Sequence, residues 1–302
     1  MIFRANGKLL LTAEYLVLDG ATCLALPTKM GQIMEVEHSS DDYLHWECLD
    51  EKNSPWFAAS FNWSTGFIEN TSDQETAQEL KQILGIAHQL NPSFSPAGKK
   101  VTCKLEFPIN WGLGSSSTLR VNVANWAKIP AIELHNKTSN GSGYDIAAGS
   151  CNSPILYSNK DSNRWEEIEY SPPYSNELFF IYLNKKQKSE KEVNSYIDLK
   201  KDLDLNYAVQ AANKLTHRIA NANDLTEFEL AIREHELFLS TILQRPCVQE
   251  SIFPDYELGT LKSLGAWGGD FILATGTSRA KVTEYFNEKG FSTVLPYANL
   301  IL

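Results

Sequence analysis

The sequence predicts an α+β protein of two lobes, and three observations along the chain carry this prediction. Residues 101–107 alternate between apolar and polar side chains, which is the period of a half-buried strand. Leu119, Val123 and Ala127 then recur at the spacing of one helix face. The second half opens on an apolar run at residues 178–183, which predicts a buried strand, and two helical patterns follow it.

The first lobe is predicted from short apolar runs and one proline. Residues 33–36 predict a strand ahead of the strand at 101–107. Pro130 either ends the helix that contains Leu119 or opens the next one, because proline cannot continue a helix interior.

The boundary between the lobes is placed in the polar stretch of residues 158–174, which contains two adjacent prolines. We therefore predict an N-terminal lobe at residues 1–165 and a C-terminal lobe at residues 166–302.

The second lobe contains two predicted helices. The first covers residues 208–219, and the second begins at Asp224, where Glu227 three residues later resembles a capping box. The remaining predicted elements are a glycine loop at 265–270, a strand at 271–275, a helix at 278–289 and an edge strand near Thr293.

Composition excludes several classes of partner. The 302 residues include 27 basic and 37 acidic side chains, and this net charge of −10 argues against nucleic-acid or general membrane-surface binding. Five cysteines without a CxxC pair indicate reduced thiols, and no run reaches the roughly 18 apolar residues of a membrane span. We expect a cytoplasmic protein with no nucleic-acid or membrane partner, and a homodimer stays open.

The strongest chemical signal is a strand–loop–helix motif at residues 108–118. Gly112 and Gly114 allow a tight turn and a close approach of the backbone to a ligand. The following serines, Ser115 to Ser117, lie at a helix N-terminus, where unpaired N–H groups and the helix dipole attract a phosphate. The motif matches neither a Walker A loop nor a dinucleotide fingerprint, and a serine-capped turn without a ligand is the alternative.

Three further segments carry candidate chemistry. Asp145 follows Gly141 and Gly143 and could accept a proton from a substrate hydroxyl, or it could be only a helix N-cap. The glycine loop at residues 265–270 could approach a phosphate or be a sharp turn. Lys8, next to a glycine, could assist catalysis or be a solvated charge.

Together these segments resemble the GHMP kinases, a family named for galactokinase, homoserine kinase, mevalonate kinase and phosphomevalonate kinase. Residues 112–116 match the family's phosphate loop closely, and residues 265–270 resemble its C-terminal glycine loop. The opening segment around Lys8 and Glu14 is similar to the family's first motif. The Gly-Tyr-Asp-Ile-Ala run at residues 143–147 resembles the segment with the catalytic aspartate, especially in a bacterial subgroup known by the letters GYDIA.

The resemblance covers nearly the whole chain and implies a fold, a reaction and a set of residues. The fold would pair an N-terminal α/β lobe like a ribosomal-protein domain with a ferredoxin-like C-terminal lobe. The protein would use ATP and Mg²⁺, with Asp145 as the base and Lys8 beside the substrate hydroxyl. Ser116 and Glu133 would hold the metal. The residues implied in nucleotide binding are Gly112, Leu113, Gly114, Ser115, Ser116, Ser117, Gly265, Gly268 and Gly269.

The acceptor implied by the resemblance is a small anion. The pattern around Asp145 and the Gly-Gly-Asp run ending at Asp270 are more like phosphomevalonate kinase than mevalonate kinase. Either substrate needs local cations despite the acidic chain. The residues assigned to substrate binding are Lys185, Lys186, Lys188 and Tyr144, and Arg120 is a weaker source of positive charge.

Departures from the family pattern leave a second interpretation open. Asn6 and Ala13 replace the usual proline and glycine of the first motif, and Trp267 stands at a glycine position of the last loop. Trp267 could line the site and contribute to ligand binding, or it could mark an inactive nucleotide-binding relative. A serine–lysine hydrolase at Ser278 and Lys281 is discounted, because that pair lies on a predicted exposed helix without a supporting motif.

Overall fold

The computed structural model describes residues 1–160, 164–185, 189–267 and 269–302. The chain divides into two compact units, each built from separate stretches of sequence. Unit 1 comprises Met1–Gly7, Met30–Ile109 and Leu113–Ser150. Unit 2 comprises Lys8–Lys29, Asn110–Gly112 and Cys151–Leu302.

Unit 1 consists of one sheet and four helices. Its strands are β1 (Ile2–Leu10), β2 (Cys23–His38), β3 (Leu44–Leu49), β4 (Pro55–Asn62), β5 (Phe67–Thr71) and β6 (Lys99–Leu105), of which β1 and β2 also contribute residues to unit 2. Its helices are α1 (Gln74–Leu90), α2 (Ser115–Ala127), α3 (Ala131–Thr138) and α4 (Tyr144–Ser150).

The strands of unit 1 follow the order β5-β4-β3-β6-β2. The β3–β6 pair is parallel, with Trp46 opposite Val101, and the other pairs in this order are antiparallel. Buried side chains of these strands share a core with α1 and α2, to which Leu84 and Val123 belong. Polar residues alternate with the buried ones along β3 and β6, as expected of a sheet with one solvated face.

Unit 2 contains the remaining elements. They are β7 (Ile155–Ser158), β8 (Arg164–Glu167), β9 (Leu178–Tyr182), α5 (Ser189–Leu199), α6 (Leu205–Ala220), α7 (Leu225–Leu243), α8 (Val248–Ser251), β10 (Leu261–Ser263), β11 (Phe271–Thr275), α9 (Arg279–Glu288), β12 (Val294–Pro296) and α10 (Tyr297–Leu300).

An antiparallel sheet in the order β10-β11-β9-β12 organises much of unit 2. Ile272 of β11 pairs with Ile181 of β9, and both are fully buried. These residues share an apolar cluster with Phe253 and Phe286. The start of β2 pairs with β7, and β7 pairs with β8.

The structure confirms the α+β prediction and most of its elements. The Asp224 side chain accepts a hydrogen bond from the Glu227 N–H at 2.8 Å, so α7 begins at the predicted cap. The strand predicted at 33–36 is one part of the 16-residue β2. The polar stretch 158–174 lies inside unit 2, and the split at residue 165 stays a prediction, because a compact unit need not be an evolutionary domain.

Candidate active site

The predicted phosphate loop leads into α2. Gly114 adopts a left-handed conformation with φ 96°, and among the described residues no side chain caps the helix start behind it. The first backbone N–H groups of α2 are therefore available to an anion. This arrangement fits the phosphate-binding prediction, since the helix dipole adds to the attraction.

The three serines of the loop differ in their surroundings. Ser117 is buried and its hydroxyl donates to the Gly114 carbonyl at 3.0 Å, so it shapes the loop. Ser115 is half-buried, whereas Ser116 is exposed and its hydroxyl accepts a hydrogen bond from Arg120. Leu113 is fully buried, which anchors the turn.

The predicted base lies on a helix that packs against α2. Asp145 occupies the first turn of α4 and is half-buried, and its Oδ1 accepts a hydrogen bond from the Ile146 N–H at 3.1 Å. The neighbouring Ile146 is buried in one cluster with Ala5 of β1 and Val121 of α2. The fold of unit 1 therefore places Asp145 on an element that contacts the helix of the phosphate loop.

A close approach of backbone explains a glycine near this base. A Cβ at Gly149 in α4 would lie 3.2 Å from the carbonyl oxygen of Asn6, which is a tight contact with backbone. Asn6, the residue that replaces the family's proline, is thus part of the β1 surface on which α4 packs. Tyr144, the residue before Asp145, is half-buried at the start of α4.

In unit 2, three of the predicted segments meet at Gly112. The Lys8 ammonium donates a hydrogen bond to the Gly112 carbonyl at 2.9 Å. The Asp270 carboxylate lies against the same glycine, where an added Cβ would be 2.4 Å from Oδ2. Gly112 also has φ 68°, so both its conformation and its surroundings require glycine.

Asp270 connects Gly112 to Lys185, one of the lysines that the sequence assigns to substrate binding. Its backbone N–H donates to the Lys185 carbonyl at 2.7 Å, and its carbonyl accepts from the Leu183 N–H at 2.8 Å. The Lys185 side chain is exposed. The Gly-Gly-Asp run in the sequence gives Asp270 no role at Gly112, and the contact of its carboxylate with that glycine is visible only in the structure.

Other predicted residues lie elsewhere or outside the described part of the chain. Lys186, Lys188 and Gly268 fall outside the described residues. Glu133 is exposed in the first turn of α3. Gly265 has φ 57° and open space around an added Cβ, so its glycine is required by conformation rather than by room.

Trp267 is buried, with only 3% of its surface exposed, and Gly269 is buried two residues further on. The tryptophan backbone is left-handed, with φ 44°, which is strained for a bulky side chain. A fully buried indole favours a packing role over the ligand contact that we expected from the sequence.

We therefore expect Trp267→Gly to destabilise the protein and to leave ATP affinity within about threefold. Truncating a buried tryptophan costs about 3–5 kcal/mol, and relief of the left-handed backbone recovers about 1 kcal/mol of it. Thermal melting and ATP titration of the variant measure both quantities. Trp165→Ala, which alters a ring that is 40% exposed, is the matched control. A stable variant with much weaker ATP binding would instead place the indole at the ligand.

A cluster of buried charges in unit 2 includes Glu14 of the opening motif. The Lys262 ammonium contacts Glu14 Oε1 at 2.6 Å, and both side chains are 0% exposed. Glu236 accepts hydrogen bonds from the Ser263 N–H at 3.1 Å and from the Ser263 hydroxyl at 2.6 Å. His235 Nε2 accepts a hydrogen bond from the Ala13 N–H at 3.0 Å. The neutral imidazole therefore carries its proton on Nδ1.

Burial dominates the electrostatics of this cluster. It raises the pKa of Glu14 to about 7, although the Lys262 charge opposes the shift. Burial and the same Lys262 charge hold the pKa of His235 well below its usual range. Ala13 and Tyr15, on either side of Glu14, have φ 59° and φ 64°. The cluster therefore fixes an unusual backbone turn directly after β1, the strand that carries Lys8.

The residues present fit a nucleotide phosphate better than they fit a metal at Ser116. The uncapped start of α2 and the glycines before it suit a phosphate. At Ser116, a guanidinium already donates into the hydroxyl that was predicted to hold Mg²⁺. Within the described residues, no group of three His, Cys, Asp or Glu side chains could hold a metal ion. The hydrogen bond from Arg120 does not favour Ser116 as a metal ligand. The metal roles of Ser116 and Glu133 stay predictions.

Comparison with solved structures shows the same fold over the whole chain. The Lin0012 protein from Listeria innocua aligns with a TM-score of 0.75 at 19% identity, covering 98% of this chain and 96% of that one. The Streptococcus pneumoniae phosphomevalonate kinase in complex with phosphomevalonate and AMPPNP aligns with a TM-score of 0.70 at 14% identity, covering 100% and 98%. The Methanococcus jannaschii mevalonate kinase gives a TM-score of 0.69 at 14% identity, covering 98% and 96%.

These similarities define the class of fold. The chain has the two-domain α+β fold of the GHMP kinases, so the fold expected from the sequence motifs is confirmed. No family model matches the chain, and no curated protein matches it. None of the helices in the described ranges combines the length and hydropathy that a membrane span requires.

Proposed function

We propose that this chain is an ATP-dependent phosphotransferase that acts on a small acid of the mevalonate-pathway type, in the manner of phosphomevalonate or mevalonate kinase. The observation that carries the proposal is the contact between α2 and α4 in unit 1. It brings an uncapped helix start after a glycine loop onto the same scaffold as the helix of Asp145. An anion site and a carboxylate base are the two parts that phosphoryl transfer to a hydroxyl requires.

Each residue has a role in this proposal. ATP supplies the phosphoryl group. The backbone N–H groups at the start of α2 and the Ser115 hydroxyl bind phosphate oxygens. When the acceptor is a hydroxyl, as in mevalonate, Asp145 accepts its proton as that oxygen bonds to phosphorus and the bond to the departing ADP oxygen breaks. When the acceptor is a phosphate, as in phosphomevalonate, an ionised phosphate oxygen forms the bond as the ADP oxygen departs, and no proton has to be accepted. Lys8, held at the Gly112 carbonyl, supplies positive charge at the phosphate loop.

The chain has a net charge of −10, so a carboxylate or phosphate acceptor needs positively charged side chains at its own binding site. Lys185 is exposed and follows β9, where its carbonyl is tied to Asp270. We assign Lys185 to acceptor binding, and Lys186 and Lys188 to the same role from the sequence alone. A cytoplasmic setting is part of the proposal, supported by five buried cysteines whose thiols are reduced.

A second candidate is a nucleotide-binding protein of this fold without turnover. Trp267 favours it, because a buried bulky residue with a left-handed backbone stands in a loop expected to consist of glycines. The presence of Lys8, Ser116 and Asp145 together in the sequence argues against it, since a protein that only binds nucleotide has no chemical need for all three.

A coupled assay of ADP release tests the proposal. Mevalonate, phosphomevalonate, homoserine and galactose are offered in turn with ATP and Mg²⁺. We expect turnover of phosphomevalonate or mevalonate. Turnover of galactose or homoserine alone would overturn the acceptor class. ATP binding without turnover of any acceptor would favour the second candidate.

A further inference from the structure

Arg120 occupies an unusual position for a charged side chain. It lies in α2 one helical turn after Ser116, and only 9% of its side chain is exposed. Its Nη1 donates to the Ser116 carbonyl at 3.2 Å and to the Ser116 hydroxyl. A buried cation is therefore fixed beside the exposed serine at the start of the helix.

Two neighbouring helices hold the guanidinium in one orientation. Its Nε donates to Thr138 Oγ1 at 3.2 Å, and the Thr138 hydroxyl is itself bonded to the Leu134 carbonyl of α3 at 2.7 Å. Its Nη2 contacts Glu79 of α1 at 2.9 Å. Partners on three helices leave the planar group little freedom, which is a condition for precise recognition of an anion.

The guanidinium has donor capacity that these partners do not use. It carries five N–H groups, and among the described residues its partners account for the Nε–H, both Nη1–H groups and one Nη2–H. Glu79 neutralises the positive charge of the guanidinium only in part, because the Glu79 side chain is 54% exposed and its carboxylate is also solvated by water. A second anion at the start of α2 would meet the residual positive charge of this guanidinium.

The same contact changes what Ser116 can do. Its hydroxyl oxygen already accepts from a cation, and a divalent metal bound there would lie next to a like charge at low solvent exposure. A phosphate oxygen at the same place would instead be attracted by the guanidinium and by the helix dipole.

We infer that Arg120 binds the nucleotide phosphates as the protein's own cation and keeps Ser116 from serving as a metal ligand. This inference rests on the proposed function. It assigns Arg120 to phosphate recognition, in place of the weaker role in acceptor binding that the sequence suggested. The metal that accompanies the nucleotide is then held without Ser116.

ATP binding measured by calorimetry with and without Mg²⁺ tests the inference. In EDTA, the parent should bind ATP at most about tenfold more weakly than with Mg²⁺, because Arg120 supplies charge. Arg120→Met should weaken binding in EDTA by about 10- to 100-fold, the usual effect of losing a hydrogen bond to a charged group. Its loss with Mg²⁺ should be smaller, and Arg120→Lys should be intermediate in EDTA.

Two further variants separate phosphate binding from a structural role. Glu79→Gln removes the counter-charge but keeps the cation and an oxygen that can accept its hydrogen bond, so ATP affinity in EDTA should stay equal or rise. Ser116→Ala should leave the Mg²⁺ concentration for half-maximal ATP binding within about twofold of the parent. A folded Arg120→Met with parental affinity in EDTA, or a strong shift of Mg²⁺ dependence in Ser116→Ala, would overturn the inference alone. A parent that binds no ATP even with Mg²⁺ would overturn the proposed function.

Discussion

With a hydroxyl acceptor such as mevalonate, Asp145→Asn is expected to lower kcat by about 100- to 10,000-fold, the usual contribution of a general base. The amide keeps the shape of the side chain, and its oxygen can still accept the Ile146 N–H, so α4 should stay in place. ATP affinity should change little, because the residue acts on the acceptor hydroxyl. Steady-state kinetics with the acceptor found in the ADP-release assay measure the loss.

Glu75→Gln is the matched control for that variant. It removes a carboxylate from the first turn of another helix of unit 1, and therefore reproduces the loss of a favourable helix-dipole interaction. It should retain parental kcat. A kcat within about threefold of the parent in Asp145→Asn would reduce Asp145 to a residue that only supports the start of α4.

Local chemistry made part of the site predictable. The glycines and serines of the phosphate loop predicted a helix start available to an anion, because glycine permits the left-handed turn at Gly114 whatever the rest of the fold does. The cap at Asp224 was predictable for a similar reason, since a capping box involves only neighbouring residues.

Contacts between distant residues were not predictable. Glu14 and Lys262 are 248 positions apart, and the sequence around each residue does not predict that its charge is buried. The Asp270 carboxylate reaches Gly112 only because the β9–β11 sheet brings its loop there. Arg120 had a local signal in its four-residue spacing from Ser116, which is one helical turn. The burial that makes this contact matter depends on α1 and α3.

The buried Glu14–Lys262 pair gives the largest expected effect on stability. Lys262→Met should destabilise unit 2 by about 3–5 kcal/mol, because it leaves the Glu14 charge buried without its partner. The double variant Glu14→Gln, Lys262→Met should recover much of that loss, since it removes both charges together. Lys289→Met is the matched control, because its ion pair with Asp255 is partly exposed and worth about 0–1 kcal/mol. Urea denaturation midpoints at pH 8 compare the variants.

The dependence of this effect on pH follows from the pKa of Glu14. The folded-state pKa is about 7 and the usual value is 4.5, so the folded protein binds the Glu14 proton more tightly than the unfolded chain does. Stability from this group is therefore present at low pH and falls as pH rises from about 4.5 to about 7. Removing the Lys262 charge raises the Glu14 pKa further, so the loss in Lys262→Met should be smaller at pH 6 than at pH 8. His235 titrates in the opposite sense, because burial and the Lys262 charge lower its pKa. Removing Lys262 relieves part of that shift and lets His235 take up a proton more readily at pH 6, so this contribution also makes the loss smaller at pH 6 than at pH 8. An equal loss at both pH values, with no recovery in the double variant, would mean that Lys262 contributes through its packing and not through its charge.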